Sequence, residues 1–459
     1  MQEPIPTHEP IRRLPQETYR ARRDGALERL RGGVAILRSN PEQTRSNDTE
    51  FPFRQDSDLW YLTGFGEPDC VLVLTDRHPD HRSVLFVRPR DPEKETWNGR
   101  RAGVDGAKAH YGVDATYSIA ELDEKLPQYL EGASTLYFTP GLDTAFNARV
   151  EGWLATSRRT RARTGKGPVT RVELAPLLHE TRLYKTAEEI AMLRRACAIS
   201  AEAHNAALEG TRPGQQEYEV EALVNYVFRA RGARAPGYNS IVAGGINATI
   251  LHYTENESVL RDGDLLLIDA GAEVDGYTAD ITRTFPVGER FTPAQRQVYD
   301  IVLAAQEAGI AAVRPGTRFD EVHMAALHVL VEGLVTLGVL EGRVEELIAQ
   351  KAFQPFYMHR TSHWLGLDVH DCGLYVDAKG ESLPLAPGMV LTVEPGLYFG
   401  DTTVAYDPKF RGIGVRIEDD IAVTPNGHAN LSEAAIKLPD QVEKARARGL
   451  ARGASALPV

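Results

Sequence analysis

Two aspartates in one short segment have the spacing to share a cation. The segment reads as two strands with a turn signal between them, at Leu265–Asp269, Tyr277–Phe285 and Asp275-Gly276. With a two-residue turn, Asp269 faces Thr282, and Asp280 lies diagonally across from Asp269 with Cα atoms roughly 7–8 Å apart. Because Asp269 closes the apolar run LLLI, an unpaired charge there would be costly. The pair therefore predicts a cation site, and the simpler alternative is that each carboxylate caps a turn or pairs with Arg283.

Three histidines lie close together in the segment MHRTSHWLGLDVHDCG. They are His359, His363 and His370. Lone histidines are usually ordinary polar or core residues, whereas three of them beside a tryptophan and several glycines more often mark a site. The spacing is not HExxH, so the helix of a zincin metalloprotease is excluded.

Two further carboxylates end or interrupt apolar strands. Glu394 ends the apolar run MVLTV, where burial is expected. Arg416 and Glu418 are two positions apart and therefore face the same side of a strand, while Asp419 faces the other side. The face opposite to Arg416 and Glu418 is apolar, with Ile413, Val415 and Ile417. Taken alone, Arg416 and Glu418 are also compatible with a surface charge pair.

Together these residues form an oxygen-rich set with one imidazole. The set comprises Asp269, Asp280, His363, Glu394 and Glu418. Such ligands suit two hard or borderline divalent ions, Mn²⁺ before Zn²⁺, with Co²⁺ as a further alternative. Two ions roughly 3.5 Å apart can hold one hydroxide and polarise a carbonyl group.

The first third of the chain alternates apolar strands with helical patterns, which favours an α/β domain with a mixed sheet. The predicted strands are Val34–Ser39, Val71–Thr75, Ser83–Val87 and Thr135–Phe138, and the predicted helices lie around Thr18–Arg31 and Ala120–Leu130. Ser157–Arg171 holds six basic residues and no acid, and it predicts a solvated surface loop near a domain junction rather than an anion site. We expect an N-terminal domain over residues 1–175 and a C-terminal domain over residues 176–459.

The C-terminal domain begins with a helix and contains a weak internal repeat. Thr186 and Glu189 are spaced as a capping box, and Cys197 on the apolar face of the helix is expected to be a core residue. Ala203–Gly232 and Ala308–Leu334 each read as a helix, an Arg-Pro-Gly turn and a second amphipathic helix. The pattern indicates a duplicated half-domain, and chance similarity between amphipathic helices is the alternative.

Composition excludes several classes of protein. The 459 residues suit two or three domains, and 52 basic against 64 acidic residues give a net charge of −12, which argues against nucleic-acid binding. Three widely spaced cysteines form no disulfide framework and suit a reducing cytosol. The N-terminal sequence has no apolar segment of a signal peptide, and no uncharged apolar run reaches the roughly 20 residues of a membrane span. We therefore expect a cytoplasmic location and neither nucleic-acid nor membrane partners.

Several longer motifs make the chain resemble the pita-bread metallopeptidases, and most closely the aminopeptidase P family. They are TRSNDTEFPFRQDSDLWYLTGF, ILHYTENE, LIDAGAE with GYTADITRTFPV, SHWLGLDVHD, VLTVEPGLY and GVRIEDDIAVT. The motifs extend over nearly the whole chain and are highly specific in combination. The resemblance implies an N-terminal α/β domain of the aminopeptidase P type and a C-terminal pita-bread domain with an internal pseudo-twofold repeat.

The resemblance also implies a reaction and a site. An exopeptidase with two divalent metal ions, Mn²⁺ by preference, would hydrolyse the N-terminal Xaa-Pro bond of peptides by attack of a hydroxide that bridges the metals. The implied metal ligands are Asp269, Asp280, His363, Glu394 and Glu418. Asp280 and Glu418 would bridge both ions, and Glu394 would also act as the general base. The other implied catalytic residues are His252, His370 and Arg416, and the implied substrate-binding residues are His359, Tyr398 and Trp97.

Three implied features concern the surroundings of the site. Arg416 would belong to a polar network with Tyr398 and Asp48. Trp97 would reach the substrate pocket of a neighbouring subunit, so the resemblance implies a homo-oligomer, either a dimer or a tetramer. Arg360 is a departure, because the family commonly has glycine after the first histidine of this motif. The substitution leaves the ligands intact and bears on the shape of the adjacent loop.

Two other functions remain to be weighed against an aminopeptidase that is open on the leaving-group side. A related prolidase would cleave only Xaa-Pro dipeptides. A pita-bread binding protein without catalysis would have lost metal ligands, whereas all five ligand positions are filled here. A creatinase-like hydrolase, which needs no metals, is disfavoured for the same reason.

Overall fold

The computed structural model describes residues 14–402 and 404–452, which form two compact units. The units are Met1–Thr181 and Arg182–Val459, so the division falls within the helix Ala175–Leu183. The boundary expected after residue 175 lies at the start of this helix. Residues 1–13, where no signal peptide is expected, are outside the described residues. None of the described helices combines the length and the apolar character that a membrane crossing requires.

The first unit is built on one six-stranded sheet. In spatial order its strands are Ala115–Ser118, Ser83–Val87, Val71–Thr75, Val34–Arg38, Thr135–Tyr137 and Thr170–Val172. The inner pairs are antiparallel and the pairs toward both edges are parallel, so the predicted mixed sheet is confirmed. Each of the four predicted strands is present within one residue of its expected bounds. A separate small hairpin pairs Thr44–Ser46 with Thr49–Glu50.

Helices surround this sheet and bury its apolar side chains. The helices are Gln16–Arg29, Ser57–Thr63, Pro92–Asn98, Gly103–His110, Leu122–Glu131 and Thr144–Thr164. The last of them packs Phe146, Val150 and Trp153 into the core of the sheet. The loop predicted at Ser157–Arg171 is wrong at both ends, because the helix continues to Thr164 and Thr170–Val172 is a strand. Arginine is a good helix former, and basic residues in the last turn of a helix interact favourably with its dipole.

The second unit contains two halves with the same order of elements. Each half has two helices separated by an Arg-Pro-Gly segment and followed by a three-stranded antiparallel sheet. The helices are Ala187–Gly210 with Glu217–Ala230 and Pro293–Ala312 with Phe319–Thr336. The glycines of the two segments, Gly214 and Gly316, have φ of 91° and 88°, which only glycine adopts readily. The capping box at Thr186 and Glu189 is confirmed, and the predicted duplication is confirmed as a shared order of elements.

Two antiparallel sheets have strand ends at or next to Asp269, Glu394 and Glu418. The sheet of the first half is Ile241–Gly244, Leu265–Asp269 and Thr282–Pro286, and that of the second half is Val390–Val393, Asp419–Thr424 and Gly427–Asn430. Smaller sheets pair Ala235–Pro236, Ala272–Val274 and Tyr277–Thr278, and pair Gly396–Tyr398 with Gly414–Arg416. The remaining helices are Val344–Ala349 and Pro439–Ala451. The strands Leu265–Asp269 and Val390–Val393 are buried along their whole length, as their nearly continuous apolar sequences predict.

The register predicted around the Asp275-Gly276 turn is confirmed. Val274 pairs with Tyr277, and Asp269 pairs with Thr282. The second strand is not continuous, however, because it is interrupted between Thr278 and Thr282. Asp280 lies in this interruption, where its backbone N–H donates to Asp420 Oδ2 at 2.9 Å instead of to a neighbouring strand.

Candidate metal centre and active site

A cavity of about 750 Å³ in the second unit collects most of the predicted site residues. It is lined by His252, Asp269, Asp280, His359, His363, His370, Glu394, Arg416 and Glu418, together with residues of the loop after His370 and of the helix that begins at Phe319. Residues that are up to 166 positions apart, from His252 to Glu418, therefore face one space. Tyr398 is 1% exposed and lies behind this wall.

Asp269 and Asp280 share a hydrogen-bond partner that the sequence did not suggest. The hydroxyl of Tyr238 lies 2.7 Å from Asp269 Oδ1 and 2.6 Å from Asp280 Oδ1. One hydroxyl carries one proton, so it can donate to only one of these oxygens at a time. The other oxygen of Asp269 accepts from the Arg416 guanidinium at 2.6 Å. The alternative that Asp269 pairs with Arg283 is therefore wrong, because Arg283 pairs with Asp419.

Glu418 lies in the break between the strands Gly414–Arg416 and Asp419–Thr424. Its backbone N–H donates to Thr282 O at 3.1 Å, and Thr282 Oγ1 donates to Glu418 Oε2 at 2.6 Å. Glu418 is 1% exposed, so the surface charge pair considered for Arg416 and Glu418 is wrong. Burial, followed by the charge of Asp280, raises the pKa of Glu418 well above its usual value.

His363 is oriented so that one ring nitrogen faces the carboxylates. Its Nδ1 lies 3.0 Å from the carbonyl oxygen of Trp364, and a carbonyl oxygen can only accept, so Nδ1 carries the proton. The other ring nitrogen, Nε2, lies 3.3 Å from Asp280 Oδ2 and 3.6 Å from Glu394 Oε1. The backbone of His363 exchanges hydrogen bonds with Thr392 in the strand before Glu394. This arrangement is the usual one for a histidine that binds a metal through Nε2.

Glu394 follows the strand Val390–Val393 directly and points into the cavity. Its backbone N–H donates to Thr361 O at 2.8 Å, which joins it to the histidine segment. Its side chain is 17% exposed. Burial, followed by the charge of Glu418, raises the pKa of Glu394 to about 8. Burial and the charge of Asp269 likewise raise the pKa of Asp280.

The donor set fits divalent cations. Ligand atoms of Asp280, His363 and Glu418 all lie within 4.8 Å of one another. Asp269 and Glu394 face the same cavity, and Arg416 is the cation that contacts the set. Four carboxylates against one guanidinium leave an excess of negative charge, which adds to burial in raising the pKa of three of the carboxyl groups. Divalent ions would supply the missing positive charge, and oxygen ligands with one imidazole suit them chemically.

A chain of hydrogen bonds links Arg416 to His359. The Arg416 guanidinium donates to the Tyr398 hydroxyl at 3.1 Å, and this hydroxyl lies 2.8 Å from His359 Nε2. His359 Nδ1 donates to the carbonyl oxygen of Arg360 at 2.8 Å, so Nε2 accepts from Tyr398. Burial, followed by the charge of Arg416, lowers the pKa of His359 to about 3, which keeps the ring neutral.

Two other predicted histidines line the cavity: His370 lies next to His363, and His252 lies elsewhere on the wall. The rings of His370 and His363 are 4.3 Å apart in an edge-to-face arrangement. Burial, followed by the charge of His363, lowers the pKa of His370, so its ring is neutral at neutral pH. His252 is exposed on the cavity wall. Trp97 and Asp48 belong to the first unit, where both are exposed, and their predicted roles stay predictions.

Sequence reasoning missed residues that position the ligands. Tyr238, in the segment APGYNS, has no distinguishing pattern around it. Asp420 accepts from the Asp280 backbone and from Cys197 Sγ, at 2.9 and 3.1 Å. His323 Nδ1 lies 2.8 Å from Thr361 Oγ1, and its helix was predicted without any role for this residue. Strand alternation could have indicated only that Asp420 shares the face of Glu418.

The family models agree with this site. The model of "Metallopeptidase family M24" matches residues 191–425, and the model of "Aminopeptidase P, N-terminal domain" matches residues 19–137. The first match includes all five predicted metal ligands, and the second covers most of the first unit.

Individual relatives agree over almost the whole chain. An Xaa-Pro aminopeptidase of Escherichia coli is 47% identical over 432 residues, which cover 94% of this chain and 97% of the relative. The solved structure of the aminopeptidase PepP of Pseudomonas aeruginosa superposes with a TM-score of 0.93 at 46% identity, covering 96% of this chain and 99% of the other. The structure of a zinc-substituted aminopeptidase P of Escherichia coli in complex with product superposes with a TM-score of 0.91 at 46% identity. The match covers 95% of this chain and 99% of the other. The chain belongs to metallopeptidase family M24, in its aminopeptidase P branch.

Proposed function

We propose that this chain is a metallo-aminopeptidase that removes the first residue of peptides with proline in the second position. The observation that carries the proposal is the buried set of four carboxylates and one histidine on a single cavity. The 47% identity to an Xaa-Pro aminopeptidase over 94% of the chain supports the substrate class. The test is hydrolysis of Xaa-Pro, Xaa-Pro-Pro and Xaa-Ala peptides, and equal cleavage of Xaa-Ala peptides would contradict the proline requirement.

Two divalent ions, Mn²⁺ by preference and Zn²⁺ or Co²⁺ as alternatives, would be held by the predicted ligands. They are Asp269, Asp280, His363, Glu394 and Glu418. The oxygen-rich donor set supports Mn²⁺. When bound, such ions polarise a carbonyl group and lower the pKa of a water molecule. Chelation should abolish hydrolysis and addition of Mn²⁺ should restore it best, and undiminished turnover of exhaustively metal-free protein would contradict the assignment.

Glu394 is suited to move a proton during hydrolysis. Its carboxylate lines the cavity beside His363, with Oε1 3.6 Å from His363 Nε2. We assign it to accept the proton of the attacking water and to hold that proton until the proline nitrogen departs. A carboxylate within reach of the reacting water can serve as a general base.

The histidines would contact the substrate from the cavity wall. His370 is neutral and lies against His363, so an N–H group of its ring can donate to the oxygen of the scissile carbonyl as negative charge develops there. His252 would contact the peptide from another part of the same cavity. His359 would line the proline side, because its Nε2 is already engaged with Tyr398 and its ring is left as a largely apolar surface. A proline nitrogen has no N–H to donate, so this side needs no acceptor.

Arg416 and Tyr398 would act by positioning. Arg416 holds Asp269 and Tyr398, and Tyr398 in turn holds His359. A contribution of Asp48 to this network is part of the proposal. The large exposed fraction of Trp97, 83%, supports a further proposal that the protein is a homo-oligomer, a dimer or a tetramer, in which this side chain is covered. Free Cys70, Cys197 and Cys372 support a cytoplasmic location.

A further inference from the structure

One cationic side chain on the wall of the catalytic cavity has no counter-ion among the described residues. Arg360 lines the cavity directly after His359 and is exposed. Within the described part of the chain, no hydrogen bond or ion pair engages its guanidinium group. The other guanidinium on the same wall, that of Arg416, is buried against Asp269 and Tyr398. Arg360 is therefore the cation of this wall that is available to a ligand.

The groups around Arg360 leave its charge uncompensated. His323 lies on the same wall, and burial, followed by the charge of Arg360, lowers the pKa of His323 to about 4. This ring is therefore neutral at neutral pH, and its Nδ1 is engaged with Thr361. The nearby carboxylate is that of Asp320, which also lines the cavity, and it forms no ion pair with Arg360 in the described structure.

The charge and position of Arg360 favour a contact with the part of the peptide beyond proline over a contact with the N-terminus. The substrate of an aminopeptidase presents an ammonium group at its N-terminus, which an uncompensated guanidinium repels. Arg360 follows His359, which we assigned to the proline side of the cavity. The part of the peptide beyond proline therefore passes nearest to Arg360. The anions that a peptide carries there are its α-carboxylate, in a short substrate, and the side chains of aspartate and glutamate.

We propose, on the basis of the function proposed above, that Arg360 is a specificity-determining residue that binds a carboxylate of the peptide on the leaving-group side of proline. The planar guanidinium group can donate two parallel hydrogen bonds to a carboxylate, which a lysine ammonium group cannot reproduce. Tripeptides and peptides with an acidic third residue are the preferred substrates.

The test uses three peptides that differ only in the third residue or at the C-terminus, with metal-loaded full-length protein. Ala-Pro-Gln-amide has neither carboxylate, Ala-Pro-Glu-amide has only that of the side chain, and Ala-Pro-Gln with a free C-terminus has only the α-carboxylate. We expect kcat/KM for at least one of the acidic peptides to exceed that for the neutral peptide by about tenfold, mainly through KM. The acidic peptide that shows the preference identifies the source of the carboxylate.

Two variants of Arg360 and one control complete the experiment. Arg360→Ala should reduce the ratio of acidic to neutral kcat/KM to near one, and Arg360→Lys should restore part of it. Arg343→Ala, at a surface guanidinium whose side chain is 74% exposed, should leave the ratio and the activity unchanged. The wild-type preference should also weaken as salt increases, because Arg360 is exposed. Metal content and the thermal midpoint report whether each variant is folded.

The outcomes separate this inference from the proposed function. If the neutral peptide is cleaved and the ratio is the same in wild type and in Arg360→Ala, Arg360 does not bind the carboxylate and the inference is wrong. If none of the three peptides is cleaved by correctly loaded protein, the proposed function itself fails. A ratio that Arg360→Lys restores completely would show that the charge alone suffices and would overturn the bidentate contact.

Discussion

Replacing Glu394 by glutamine should remove a pH dependence from the metal-free protein. The pKa of Glu394 rises from 4.5 to about 8, first because the side chain is buried and second because Glu418 is close. The folded state therefore binds this proton more tightly than the unfolded state does. Stability falls with rising pH wherever the folded state binds more protons, so this contribution is fully present below pH 4.5 and is lost as pH rises through about 8.

The size of the effect follows from the same two values. Each pH unit between them is worth about 1.4 kcal/mol. The interval from 4.5 to about 8 therefore corresponds to a loss of roughly 5 kcal/mol in the free energy of unfolding of the wild type. Glutamine has the shape of the protonated carboxyl group and does not titrate. The variant should match the wild type near pH 5 and be the more stable protein, by as much as this amount, near pH 9.

The assay is denaturant unfolding of chelated wild type and Glu394→Gln at several pH values from 5 to 9. The charge of Glu394 also raises the pKa of Asp280, so the difference between the two curves reports Glu394 together with this neighbour. Glu341→Gln, at an exposed position of the same unit, is the matched control and should follow the wild type. A difference between wild type and Glu394→Gln that stays constant over this pH range would refute the reasoning.

Three further predictions concern the loaded enzyme. His370→Ala should lose turnover about 100–1,000-fold while keeping two metal ions; loss of an ion by elemental analysis would make His370 a ligand instead. Tyr238→Phe removes the hydroxyl that contacts both aspartates, so it should raise the metal dissociation constant roughly 10–100-fold in a chelator-competition titration, and wild-type affinity would argue against this role. Xaa-Pro-Pro should have a higher kcat/KM than Xaa-Pro, since Arg416 is buried against Asp269 and the carboxylate contact proposed for Arg360 lies beyond proline; cleavage of the dipeptide alone would indicate a prolidase.

The sequence predicted the fold best where a pattern of residues is compatible with a single type of secondary structure. Continuous apolar runs gave the strands Val71–Thr75 and Ser83–Val87 with their observed bounds. The basic segment Ser157–Arg171 was misassigned because charge reports solvent exposure and not backbone conformation. An exposed helix and an exposed loop can have the same composition, and here only the glycine at position 165, with φ of 69°, marks the end of the helix.

The predicted site residues converge on one cavity, but their partners could not be assigned in advance. Alternation along a strand showed that Arg416 and Glu418 share a face, and it could not show what lies opposite. Arg416 contacts Asp269 across 147 positions of sequence, and Thr282 contacts Glu418 across 136. Such pairs are set by how the sheets of the two halves meet, and this information is spread over the whole core.

Arg283 was expected near the two aspartates, and the structure gives it a different carboxylate partner, Asp419. The residue was considered as the counter-ion of Asp269 or Asp280. The structure directs its guanidinium to the carbonyl oxygens of Thr282 and Glu418, at 2.9 and 2.6 Å, and to the Asp419 carboxylate at 2.6 Å. Arg283 thus joins the strand of Thr282 to the backbone of Glu418 from the side away from the cavity. Among these residues, Arg416 is left as the partner of Asp269, and the remaining negative charge of Asp269 and Asp280 is the feature that supports the proposed metal site.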